Sequence, residues 1–319
     1  MNNYVAAAIQ GAVQGLTEFL PVSSTGHMIL VGDLIGFEGE VAKVFEVVVQ
    51  LGTILAVALI YRSKIVDMLK NWKASPFSGE KRLTIWHIFT AMIPAVIMGL
   101  LFHKTIKTKL FTPETVIIGL IAGGILMIFA EKTQKEVKIT DFNGLSLGDC
   151  FKIGLFQCLA LWPGFSRSGS TMAGALILGA AHRPAADFSF ILAIPMMISA
   201  SVFDLWKSRG VLSSSDVGYF SLGFFVAFVV GWLAVEFFLK FLERVKLTPF
   251  AWYRFAVALI ALVVILSHPA PSHSSQETLK NPKSQETITI EEKAKVIPQT
   301  NASESVFPKI PEQTKVTSQ

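Results

Sequence analysis

The chain has 319 residues, 52% hydrophobic and only 16% charged, with a mean hydropathy of +0.53. Soluble globular proteins carry about 25% charge, so this composition excludes an ordinary soluble domain and implies an integral membrane protein. The formal charge of +5 comes without a basic stripe interleaved with aromatics, so it is read as basic loops at a membrane face and not as nucleic-acid binding.

The first apolar piece, 4–20, is too polar to be a plain span. Gln10, Gln14 and Glu18 recur every four residues and form one stripe on a helix. Pro21 ends that helix, because proline disfavours helical geometry in the residue before it. Ser23, Ser24 and Thr25 follow as N-cap candidates for a second short helix over 25–36. Three apolar runs come next, at about 44–61, 83–102 and 115–130. Each is long enough, or nearly so with its flanks, to cross a ~30 Å hydrocarbon core. Within the first of these runs, Glu46 and Gln50 read mainly as helix-packing partners. Cys150 and Cys158 form no CxxC pair, and neither a disulfide framework nor a zinc site is indicated.

A second broken element, 151–162 and 170–181, is split at LWPGFSRSGST. Three more long runs follow, at 188–206, 217–239 and 249–266. At an offset of 143 the two breaks coincide: Gln14 falls on Gln157, Ser23 on Ser166, Thr25 on Ser168 and Gly26 on Gly169. Each break precedes three long helices, an odd number, so the second half should be inverted relative to the first. The fold expected is therefore all-α and integral to the membrane. It has about six transmembrane helices and two re-entrant hairpins, arranged as repeats over about 4–130 and 151–266. Residues 267–319 are rich in Ser, Thr, Gln, Glu, Lys and Pro. They read as a disordered polar tail outside a single membrane domain over 1–266.

Charge sets the expected orientation. The connections 62–82, 131–150 and 240–248 hold six, three and three Lys/Arg, against three in 103–114 and two in 207–216. The positive-inside rule then puts the first group in the cytoplasm and both termini on the other side.

The polar breaks carry the chemistry. A carboxylate inside a membrane is costly and marks function, which singles out Glu18. A helix beginning at Ser23, Ser24, Thr25 and Gly26 offers free N–H groups to phosphate. Ser24 and His27, three residues apart, can pair as nucleophile and base; the plainer alternative has the serines capping and His27 only hydrogen-bonding. Arg167, flanked by Ser166 and Ser168 and followed by Gly169, matches phosphate oxygens with a forked donor set. If the two tips meet, they assemble the parts for phosphoryl transfer from an anionic lipid.

The stretches EFLPVSSTGH at 18–27 and PGFSRSG at 163–169 resemble the signature pair of the undecaprenyl-diphosphate phosphatases of the bacitracin-resistance type. The similarity runs from about residue 4 to 266. It implies an interlocked inverted-repeat fold in the bacterial inner membrane, with a site open to the periplasm. The implied reaction removes one phosphate from undecaprenyl diphosphate and recycles the carrier lipid for peptidoglycan. The implied cofactor is Mg²⁺ or Ca²⁺. The family's first acidic motif, (E/Q)-x-x-x-E, is met by Gln14 and Glu18, so these are the metal candidates, with a single carboxylate between them. The implied roles make Ser24 the nucleophile, His27 its base or a phosphate orienter, and Glu18 and Arg167 the charge-holding groups. The partners expected are the lipid substrate and surrounding lipids, with homo-oligomerisation left open. A transporter or flippase of polyprenyl phosphates is the alternative, since broken helices in inverted halves also build transporters.

Overall fold

The protein is described here from a computed structural model covering residues 2–73, 82–110, 112–134, 136–208, 210, 213–242 and 246–267. The polar tail expected from 267 onward lies, after Ser267, outside the described residues. Eleven α-helices form among the described residues: α1 (Asn3–Thr17), α2 (Ser24–Ile35), α3 (Glu40–Ile60), α4 (Arg62–Lys70), α5 (Ile85–Lys109), α6 (Pro113–Thr133), α7 (Leu147–Cys158), α8 (Arg167–Ile177), α9 (His182–Lys207), α10 (Val217–Phe241) and α11 (Thr248–Ser267). Six of them, α3, α5, α6, α9, α10 and α11, are long and apolar enough to cross a membrane. These are the six long runs of the sequence. The run read as 115–130 gains flanking residues because Thr112 caps α6, accepting from the Thr115 N–H at 3.4 Å. Leu100, Leu101, Leu233, Phe237 and Leu266 are all more than 60% exposed. Such a coat fits lipid and would be an aggregation liability in water.

Several boundaries differ from the sequence reading: the piece read as 170–181 is α8 at Arg167–Ile177, capped by Ser166, and the run read as 188–206 starts at His182. The second broken element starts earlier, at Leu147, because Ser146 and Asp149 close a capping box there. The basic connection 62–82, read from the sequence only by its charge, opens with the nine-residue amphipathic helix α4, which carries Ile65, Val66, Met68 and Leu69.

The helix starts of the two halves are offset by 142 to 144 residues. Helices α1, α2 and α3 begin at 3, 24 and 40, and α7, α8 and α9 begin at 147, 167 and 182. Ser23 and Ser166 immediately precede α2 and α8, and both have φ of 73°. They are the only non-glycine residues with positive φ among those described. Such conformations are costly and persist only where their surroundings over-determine them. The packing crosses the halves: α1 lies against α10, and α7 against α5.

Polar knots tie one end of the helices together. Asp187 at the start of α9 receives Tyr61 Oη at 2.5 Å, Lys64 Nζ at 2.7 Å and Arg183 Nε at 3.2 Å. Glu131 near the end of α6 accepts from Thr248 Oγ1 at 2.8 Å and from the Leu247 N–H, and bonds His182 Nε2 at 2.9 Å. The α3 chain therefore arrives where α9 departs, so these two helices run in opposite directions. His87 caps α5 by accepting from the Thr84 N–H at 3.1 Å.

The glycines of α6 let the second break approach closely. A Cβ at Gly119 would collide with the Pro163 carbonyl, and one at Gly123 with the Arg254 guanidinium and the Phe165 carbonyl. Gly123, under Arg254, and Gly124, against the Phe255 ring, also let α11 pack closely on α6, whereas Gly119 meets only the second break. Gly123→Ala is therefore expected to lower stability by about 1–3 kcal/mol, the usual cost of overpacking. Thermal unfolding in detergent checks this. An unchanged Tm would mean that Arg254 can move aside.

Candidate active site

Both breaks end in turns with defined causes. In the second, Trp162-Pro163-Gly164-Phe165 closes with the Phe165 N–H donating to the Trp162 carbonyl at 3.1 Å. Pro163 presets its own φ, and Gly164 adopts φ of 89° where a side chain would be strained. In the first, α1 stops at Thr17, and Glu18 through Val22 form the turn around Pro21.

The two turns meet at Glu18. Its Oε2 accepts from Gln14 Nε2 at 2.8 Å and from Ser24 Oγ at 2.6 Å. Its Oε1 accepts from Arg167 Nη2 at 3.1 Å, across 149 residues of sequence. Glu18 is 8% exposed, so the carboxylate is desolvated and its charge is held by this pairing. A second link runs from Ser168 Oγ to the Leu20 carbonyl at 3.0 Å. The Arg167 guanidinium also lies over the Phe19 ring, 5.3 Å from its centroid. Its Nη1 donates to the Ser189 carbonyl at 3.1 Å, while its buried Nε–H has no partner among the described residues.

Among the residues singled out from sequence, Gln14, Glu18, Ser24 and Arg167 thus come into one network. His27 sits differently from a base poised on Ser24. Its Nδ1 is 2.8 Å from the Ser23 carbonyl and its Nε2 is 2.9 Å from the Tyr253 hydroxyl. Ser166 Oγ accepts from the Gly169 N–H at 3.2 Å and lies 3.2 Å from Ser168 Oγ, so these three order the α8 start. The start of α2 differs, because Ser23 makes no side-chain cap bond. The first-turn donors around Thr25 and Gly26 are left for another acceptor. Glu46 and Gln50 lie half-buried on α3 and take no part in these bonds. Gln157, the counterpart of Gln14, is buried with both amide atoms unpaired among the described residues.

Sequence reasoning missed Tyr253 and Arg254. Arg254 is fully buried, and its guanidinium donates to the carbonyls of Leu120, Gly119, Gly164 and Phe165 at 3.1, 3.1, 2.8 and 2.9 Å. It pins the second turn to α6. An arginine inside a 20-residue apolar run was a visible signal, since intramembrane charges are rarely idle. Tyr253 had no such signal.

The donor set suits a hard cation only in part. Glu18 offers one carboxylate, with the amide oxygen of Gln14 and the hydroxyl of Ser24 as neutral oxygens. No group of three or more His, Cys, Asp or Glu able to hold a metal occurs among the described residues. Such a set could hold a Mg²⁺-type ion only with substrate phosphates and water completing its shell.

Residues 7–260 match the family model described as bacitracin resistance protein BacA. Proteins named undecaprenyl-diphosphatase 1 from Bacillus anthracis and from Bacillus thuringiensis strain Al Hakam are each 49% identical over 266 residues. Those alignments cover 83% of this chain and 100% of each relative.

Proposed function

The chain belongs to the bacitracin resistance protein BacA family, and from that premise we propose how its two turns act as a membrane undecaprenyl-diphosphatase. The enzyme hydrolyses undecaprenyl diphosphate to undecaprenyl phosphate and inorganic phosphate. The observation that carries the mechanism is the Glu18 carboxylate shared between Ser24 of one turn and Arg167 of the other. Ser24 Oγ attacks the terminal phosphorus, and its proton passes to Glu18 Oε2, which already accepts it. The bond from phosphorus to the bridging oxygen breaks, and undecaprenyl phosphate leaves. Glu18 passes that proton to the departing undecaprenyl phosphate; water then attacks the phosphoserine, its proton goes to Glu18 and on to Ser24 Oγ as the phosphorus–Oγ bond breaks, and phosphate departs. Arg167, with an unpaired Nε–H, and the open α2 N-terminus hold the charge on the transferred group. Donors fixed in advance are the largest expected contribution to such a reaction. His27 is assigned the orienting role and not that of base, since Glu18 is the group on the serine hydroxyl. A polyprenyl-phosphate transporter would have no use for a hydroxyl paired with a carboxylate.

Glu18, Gln14 and Ser24 would hold Mg²⁺ or Ca²⁺ together with the substrate. Such an ion neutralises diphosphate charge. Gln14→Glu is expected to lower the half-saturating concentration of divalent cation severalfold while activity persists, because ligand charge is a main determinant of affinity. An unchanged or higher value in a metal titration would remove Gln14 from the ion.

The wider arrangement follows the same reading. The two broken elements are re-entrant hairpins of inverted repeats in the inner membrane, with the site and both termini facing the periplasm. The opposed directions of α3 and α9 and the basic connections support it. The deciding assay is phosphate release from undecaprenyl diphosphate by purified protein, with and without a chelator. Absence of release in the presence of either cation would refute the proposal.

A further inference from the structure

Helix α11 delivers two adjacent side chains to the two turns. Arg254, locked on four carbonyls of α6 and the second turn, fixes the rotation and height of the helix. Tyr253 is thereby aimed at the first turns of α2, where its hydroxyl lies 2.9 Å from His27 Nε2. The two rings are parallel, with centroids 5.6 Å apart.

The bonding pattern assigns the tautomer of His27. A carbonyl only accepts, so Nδ1 carries the proton that goes to Ser23 O at 2.8 Å. In the neutral ring Nε2 then has the lone pair, and the tyrosine hydroxyl donates to it. The imidazole is clamped at both nitrogens, between the carbonyl of the strained Ser23 and a residue 226 positions away in sequence. Tyr253 itself is 46% exposed, and its hydroxyl occupies Nε2, the imidazole nitrogen turned away from Ser23.

We propose that Tyr253 is a positioning residue for the phosphatase reaction, holding His27 in one tautomer and one orientation against the start of α2. The proposal rests on the catalytic reading of the two turns given above. It goes beyond that reading by assigning a function to α11, which carries none of the motif residues.

Tyr253→Phe removes the hydroxyl and little else, at a position exposed enough to leave the fold intact. It is expected to lower kcat about tenfold, the worth of one hydrogen bond to a catalytic group, with Tm unchanged. In a His27→Gln background the same change is expected to have no further effect, because the tyrosine acts through the imidazole. Independently of activity, ¹⁵N NMR of histidine-labelled protein should show the His27 Nε2 resonance moving in Tyr253→Phe. The other five histidines should stay in place. Wild-type kcat in Tyr253→Phe, losses that multiply across the two backgrounds, or an unmoved His27 resonance would each overturn the proposal. Ser24→Ala assayed alongside separates the two levels: if it stays active the catalytic reading fails, whereas the resonance shift reports on Tyr253 and His27 alone.

Discussion

Ser24→Ala will insert and fold normally yet release phosphate from undecaprenyl diphosphate at least about 10³-fold more slowly than the parent. The loss is large because the nucleophile has no substitute in the network. Ser23, the neighbouring hydroxyl, is buried with φ of 73° and its carbonyl tied to His27. Stability should change by only about 1 kcal/mol, the net worth of one hydrogen bond. Glu18 keeps Gln14 and Arg167 as donors when the serine goes, so its carboxylate is not stranded. The checks are a phosphate-release assay and thermal unfolding in the same detergent. Near-normal turnover would end the nucleophile assignment, and turnover lost together with Ser23→Ala alone would transfer it to Ser23.

Arg167 is the second large effect, and its two variants fail in different ways. Arg167→Ala strands the buried Glu18 carboxylate, so stability falls as well as activity. Breaking a buried pair from one side costs about 3–5 kcal/mol. Arg167→Lys keeps a positive charge beside Glu18 and should hold Tm within a few degrees. It should still lower kcat/KM about 10²-fold, because a point ammonium cannot reproduce a fork that reaches Glu18, the Ser189 carbonyl and a phosphate at once. The loss should appear in kcat more than in KM, since charge builds on the transferred group in the transition state. If Arg167 only extended its charge toward headgroups, lysine would serve equally well. A fully active Arg167→Lys enzyme would therefore remove the clamp.

Much of this protein was legible before its structure. The six spans could be read off because hydropathy is local and adds along the chain. The breaks could be read because Pro21 and Pro163 act on their own backbone, whatever surrounds them. The pairing of Ser23 with Ser166 at one offset was visible as two serines; that both hold the same strained φ was not. The sequence also drew attention to Glu18, Ser24, His27 and Arg167 as polar groups where lipid should be.

What the sequence could not decide was who bonds whom. Ser24 and His27 are three residues apart, yet the serine hydroxyl turns to Glu18 and the imidazole to Tyr253. Spacing on a helix limits which groups can meet, but a hydrogen bond needs its atoms within a few tenths of an ångström and roughly in line. That accuracy comes from the packing of α11, α6 and the second turn, which is set by Arg254 and by the absence of side chains at Gly119 and Gly123. Hydrophobic pattern determined by itself that the chain enters a membrane and where it breaks. Only the tertiary structure brought Arg167 to Glu18 and Tyr253 to His27, because short-range, directional bonds between distant residues have no signature in local composition.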